Sequence, residues 1–130
     1  MRGVFLVAAE LAERGLVVSP TSRSARGVDL LASNLDGTRT FAVEVKSTTK
    51  QSFWIVGKDA GKRPSRNNIW VFVKLGRPKE RSRFFVVPSK SLRRFWNRGK
   101  TVSFVRRRDI VAFEDRWKTF GVSGELLSIH

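Results

Sequence analysis

Cysteine is absent from the 130 residues, and histidine occurs once, as the terminal His130. The first absence excludes disulfides and thiolate-held metals, so the fold rests on packing. Together the two leave zinc without its preferred sulfur and nitrogen ligands. Acidic residues are few, 11 Asp and Glu against 26 Lys and Arg, for a formal net charge of +15. Long apolar runs are also missing. Val4 to Ala9 is six residues long and is followed by Glu10 and Glu13, which is too short for a bilayer and lacks the small-residue cleavage site of a signal peptide. The expected location is the cytoplasm, with no membrane partner. There is no P-loop, dinucleotide fingerprint or nucleophilic triad, and no repeat or low-complexity tract.

What remains is apolar and basic. Hydrophobic residues make up 41% of the chain, with ten Phe and four Trp, enough to build one core at a common domain size. Residues 1–130 therefore read as one domain. A charge of +15 points to a polyanionic partner. Nucleic acid comes first, because guanidinium groups match phosphate geometry and no basic amphipathic helix stands out for a membrane surface.

The pattern predicts a helix over 3–15 stopped by Gly15, a short edge strand over 16–19, and strands over 28–33 and 40–48 joined by the turn Asn34 to Gly37. A short apolar element follows at 53–56, then strands at 69–75 and 84–87 forming a hairpin. Ser89 can cap a helix over 90–98, a strand is expected at 102–105, and 106–120 has moderate helical spacing. The predicted class is α/β, a mixed central β-sheet flanked by helices, with 91–130 as a C-terminal helical extension.

Three charges stand inside these apolar strands: Asp29, Glu44 and Lys46. A charge on a packed strand is costly unless paired, solvated or bound to a metal. Alternation puts Glu44 and Lys46 on one face of strand 40–48, and the hairpin brings Asp29 beside them. Two carboxylates about 4 Å apart repel by roughly 4 kcal/mol at an effective dielectric near 20, so such a pair shares a proton or binds a cation. With no Cys and one terminal His, the suitable cation is a hard oxygen-ligand ion, Mg²⁺ or Mn²⁺. A lysine on the same face can orient a metal-bound water and offset charge on phosphorus. The bland alternatives are a solvated Glu44–Lys46 ion pair and an Asp29 bonded to Arg26 at a loop edge.

Asp29 followed after a turn by Glu44-Val45-Lys46 in an apolar strand resembles the D…ExK signature of the PD-(D/E)XK nuclease superfamily, the restriction-endonuclease-like fold. The resemblance covers about residues 5–90; Val28 stands where the motif's name has Pro. It implies that Asp29 and Glu44 bind Mg²⁺ or Mn²⁺, that the Val45 carbonyl joins them, and that Lys46 serves the attacking water. It also implies roles for Glu10, at a common acidic position on the preceding helix, and for Gln51, near the place of an additional Gln in some members. The activity implied is metal-dependent hydrolysis of phosphodiester bonds in DNA by an endonuclease of repair or junction type. The alternative is a catalytically inactive nucleic-acid-binding module of the same fold, and a basic ribosome- or membrane-associated protein without a site is a third reading. The basic groups Lys58, Lys62, Arg63 and Arg66, then Arg77, Lys79, Arg81 and Arg83, are the expected DNA contacts, with further groups at Arg93 to Lys100 and Arg106 to Arg108. Cutting both strands of a duplex needs two sites, and one chain offers one, which favours a homodimer.

Overall fold

Helix α1 (Arg2–Glu13) buries Gly3, Val7 and Leu11, a four-residue spacing that makes one stripe. The structure, a computed structural model, describes residues 2–21, 28–50, 52–57 and 67–122. The helix stops where Gly15 takes a φ of 91°. The Gly15 N–H donates to the Ala12 carbonyl and the Leu16 N–H to that of Leu11, the paired bonds of a Schellman motif. A Cβ on Gly3 would lie 2.7 Å from the Ser47 Cβ, so glycine is what lets α1 lie against the following sheet. Gly3→Ala is expected to lower stability by about 1–3 kcal/mol through overpacking, read as a lower urea midpoint at unchanged slope. An unchanged midpoint would mean that the contact yields freely.

Five strands form the main sheet, in the order β1-β2-β3-β5-β6. They are β1 (Val17–Pro20), β2 (Leu30–Ser33), β3 (Thr40–Thr48), β5 (Asn68–Lys74) and β6 (Arg83–Pro88). All neighbours are antiparallel except β3 and β5, which run parallel with Glu44 opposite Trp70 and Lys46 opposite Phe72. A parallel pair needs a crossover, and this one contains β4 (Phe53–Val56), the first strand of a second, antiparallel sheet. That sheet has the order β4-β8-β7, with β7 at Trp96–Arg98 and β8 at Ser103–Arg106.

The main sheet is covered on both faces, which explains the unbroken apolar runs of β5 and β6. On one face Val43, Val45, Val71 and Val86 pack with Val7 and Leu11 of α1 and with Trp117 and Phe120. On the other, Trp70, Phe72, Phe85 and Val87 pack with Trp54, Val56 and Val105 of the second sheet. The Trp54 indole donates to the Val73 carbonyl at 2.9 Å, fixing β4 across β5. Ala42, Glu44 and Lys46 share this second face and are only half-buried.

The helical reading of residues 91–130 is corrected by the structure wherever those residues are described. Helix α2 is a single turn (Ser89–Leu92), followed by a 3-10 turn at Arg93–Phe95 and then by strand β7. Instead of a helix over 106–120 there are 3-10 turns at Arg107–Asp109, Val111–Phe113 and Trp117–Phe120. The cause lies in where the apolar residues are buried. Ile110 belongs to the core on one face of the main sheet, and Trp117 and Phe120 to the core on the other. A continuous helix cannot reach both, so the chain passes around the outer edge of β6. There Glu114 bridges Phe85, and the Asp115 N–H donates to the Phe84 carbonyl. This passage also covers an edge strand that would otherwise present unpaired backbone groups.

Candidate active site

Asp29 lies just ahead of β2, where the ladder to β3 changes. Its N–H donates to the Val43 carbonyl at 2.9 Å and its carbonyl accepts from the Thr21 N–H at 3.1 Å. Continuing the β2–β3 register would set Val28 opposite Val45. The Asp29 side chain intervenes: its Oδ2 accepts the Val45 N–H at 2.8 Å, while the Val28 carbonyl takes the Thr21 hydroxyl. A carboxylate thus occupies a place in the ladder that a main-chain carbonyl would otherwise fill, and it is held by backbone and side chain alike. A strand residue presents its N–H and carbonyl to the same edge, so the Val45 carbonyl also faces the Asp29 side of β3.

Glu44 follows Val43, the last β3 residue paired with β2 and the one whose carbonyl takes the Asp29 N–H. Burial pushes its carboxyl up to about 7; the Lys46 charge opposes that rise and the Asp29 charge adds to it. Lys46, two residues on, shares the face and sets its Nζ 5.9 Å from the centre of the buried Trp70 ring. The strand therefore brings Asp29, Glu44 and Lys46 into one electrostatically coupled group. A half-buried carboxylate pair of this kind suits a hard divalent cation, which takes one or two carboxylates and keeps several waters.

Other expected site residues lie elsewhere. Glu10 accepts from Arg14 at 2.6 Å, and that guanidinium stacks on Trp117. Among the described residues no three or more Asp, Glu, His or Cys side chains gather into a metal cluster, so Glu10 does not complete a triad with Asp29 and Glu44. Gln51, Lys58, Lys62, Arg63 and Arg66 lie outside the described residues. Arg77, Lys79 and Arg81 are exposed on the β5–β6 connection, beyond the end of the sheet toward which β3 runs past Lys46. That connection is shaped by a Gly76 N–H to Ser82 Oγ bond of 3.0 Å and by a positive φ of 73° at Lys79. Arg83 is engaged differently, by two bonds of 2.7 and 2.8 Å to Glu114. Sequence reasoning missed the bond from the Val45 N–H to the Asp29 carboxylate, which depends on a ladder irregularity, and the seat of Lys46 over Trp70, which depends on the parallel register.

A mixed sheet with a helix ahead of it, in this strand order, is the restriction-endonuclease-like fold. No protein-family model matches the sequence, and no curated protein does. Among solved structures the chain is similar to Hjc of Archaeoglobus fulgidus, a Holliday junction resolvase from an archaeal hyperthermophile. The TM-score is 0.56 at 15% identity, over 85% of this chain and 86% of that one. At that identity the likeness concerns the fold. Since 85% of 130 residues exceeds the 90 that precede residue 91, it extends into the segment where the sequence resemblance had ended.

Proposed function

We propose that this protein is a divalent-metal-dependent nuclease that hydrolyses phosphodiester bonds in DNA, of junction or repair type. The observation that carries the reading is the coupled group on β3 and just ahead of β2: Asp29 fixed to the Val45 N–H, Glu44 with a pKa raised by burial and by the Asp29 charge, and Lys46 on the same face as Glu44. Asp29, Glu44 and the Val45 carbonyl would hold Mg²⁺ or Mn²⁺, which when bound supplies Lewis acidity and lowers the pKa of its water. Asp29 is positioned for this by its ladder bond, which engages one of its two carboxylate oxygens. Glu44 loses its proton more readily as positive charge accumulates nearby. Lys46 holds an ammonium beside the carboxylates, where it donates to an attacking water and offsets charge growing on a phosphate. Arg77, Lys79 and Arg81, with Lys58, Lys62, Arg63 and Arg66, are proposed to hold the DNA backbone. The fold likeness to a Holliday junction resolvase makes a four-way DNA junction the first substrate to test.

The test is incubation with four-way junction, supercoiled, linear and single-stranded DNA in Mg²⁺, Mn²⁺ or EDTA. Cleavage in either metal and none in EDTA is expected, and cleavage that persists in EDTA overturns the mechanism. One observation favours a second reading, a nucleic-acid-binding module that does not cut: the carboxylate pair has no third acid among the described residues, Glu10 being tied to Arg14. Binding to all four DNAs without cleavage in any metal is the outcome that reading requires.

A further inference from the structure

On the far side of β5 and β6 from Lys46, a cavity of about 810 Å³ opens between the second sheet and the passage around β6. Its chemistry is unusually uniform. Arg83, Arg106, Arg107 and Arg108 line it together with Phe53 and Phe104. The two rings meet edge to face at 6.1 Å, with Arg106 set 5.3 Å over Phe104 and Lys50 set 5.5 Å over Phe53. Two acids are nearby. Glu114 is engaged by Arg83, and Asp109 lies 3.9 Å from the largely exposed Arg108. Four guanidinium groups against two carboxylates leave the cavity cationic.

We propose that this cavity holds single-stranded nucleic acid, the flank of the strand that enters the Asp29–Glu44–Lys46 site. Guanidinium groups beside aromatic rings suit a strand, whose phosphates take the arginines and whose unstacked bases take the rings. The volume lies in the range of pockets that enclose a small ligand, which suits splayed nucleotides. Position supports the same occupant. Residues Lys46, Phe72 and Phe85 form one row across β3, β5 and β6, and Thr48, Lys74 and Arg83 form a row two residues further on. Alternation places Lys46 and Arg83 on the same face. With strands about 4.8 Å apart and a rise of about 3.3 Å per residue, the Arg83 Cα lies roughly 12 Å from that of Lys46. Phe72 and Phe85 are buried under Trp54, so the strand would follow the Thr48–Lys74–Arg83 row at the rim of the sheet, where a few nucleotides advancing by at least about 3.4 Å each cover the distance.

The proposal rests on the nucleic-acid reading above but not on cleavage, so its test is run in EDTA. Binding of a short labelled oligothymidylate is measured against salt for the whole protein and for three variants. Arg106→Gln with Arg107→Gln is expected to bind at least tenfold more weakly, with a log–log salt slope smaller by about 1.4, two phosphate contacts at about 0.7 each. Phe104→Leu should bind about tenfold more weakly at unchanged slope, because it removes stacking and no charge. Lys90→Gln with Lys118→Gln, the same charge change at two exposed positions outside the cavity, should remain within about twofold of the parent protein. An abasic strand of equal length should bind the parent protein about as weakly as oligothymidylate binds Phe104→Leu.

The proposal is overturned if the two arginine substitutions act no more strongly than the two lysine ones. It is also overturned if the abasic strand binds the parent protein as well as oligothymidylate, which would mark a site for any polyanion, such as a phosphopeptide. Urea unfolding checks each variant. If Arg106→Gln does not fold, the pair Arg107→Gln and Arg108→Gln carries the same expectation. Loss of this binding pattern with Mg²⁺-dependent cleavage intact removes the cavity and leaves the nuclease. The pattern retained in a protein that cuts nothing does the reverse.

Discussion

Lys46→Ala is expected to slow metal-dependent cleavage by about 10²–10³-fold, the usual consequence of removing one preorganised charge from a developing anion. DNA affinity should change little, since one cation among many contributes a small share of the salt-dependent binding. Asp29 calls for a finer comparison. Asp29→Ala removes both a charge and the acceptor of the Val45 N–H, so it should lose cleavage and also about 1–3 kcal/mol of stability. Asp29→Asn keeps an oxygen for that N–H and removes only the charge, so it should unfold near the parent midpoint and still fail to cut. Single-turnover cleavage of a four-way junction over a range of Mg²⁺, beside urea unfolding, reads both quantities. A Lys46→Ala rate within threefold of the parent would remove Lys46 from the chemistry. An Asp29→Asn protein that cuts normally would remove the metal role of Asp29.

The parts of the fold legible in the sequence were those in which local pattern and final environment agree. Strand β3 reads from its alternation because Val43 and Val45 face one core while Glu44 and Lys46 face a half-open side. Helix α1 reads from its propensities and from Gly15, because the residue that permits a positive φ is also the one that stops the helix. After residue 89 the agreement fails. The spacing of Leu92, Phe95 and Trp96 suits a helix, but Trp96 pairs with Val105 in a strand. Ile110 and Trp117 look like one apolar stripe, yet they belong to cores on opposite faces of the sheet. No window of sequence contains that information, since it depends on a chain path around β6.

The same division holds for the site. Asp29, Glu44 and Lys46 could be named because a charge in an apolar strand is locally conspicuous, and the hairpin turn at Gly37, with a φ of 74°, fixes how the two strands meet. Glu10 could not be placed from sequence, because a helix glutamate four residues before an arginine fits a metal role and an ion pair equally well. The structure shows the ion pair. The arginine-lined cavity was equally hidden. Phe53 and Phe104 are 51 residues apart, and only the β4–β8 pairing, which sets Phe53 opposite Arg106 and Ile55 opposite Phe104, brings the two rings together.

Glu44→Gln is expected to make the protein more stable at pH 8 and to leave it unchanged at pH 4. The sign follows from the raised carboxyl. Unfolded, Glu44 titrates near 4.5, and in the fold burial, with the Asp29 charge adding and Lys46 opposing, carries it to about 7. Below about pH 4.5 both states hold the proton, and the group contributes no pH dependence. Between about 4.5 and 7 the folded state holds more protons than the unfolded, so stability falls as pH rises; above 7 the cost is constant. The full shift corresponds to about 3 kcal/mol, and partial exposure of the carboxyl reduces this to on the order of 2 kcal/mol. Subtracting the urea-unfolding profile of Glu44→Gln from that of the parent isolates this one group from the other titrating residues. A difference that stays flat from pH 4.5 to 8 would mean that burial does not raise the Glu44 carboxyl. Mg²⁺ supplies the second arm, independent of cleavage. At pH 8 it should stabilise the parent protein in proportion to the logarithm of its concentration above Kd, and it should do little for Glu44→Gln, because the carboxylate that the fold holds at a cost is the one the cation would use.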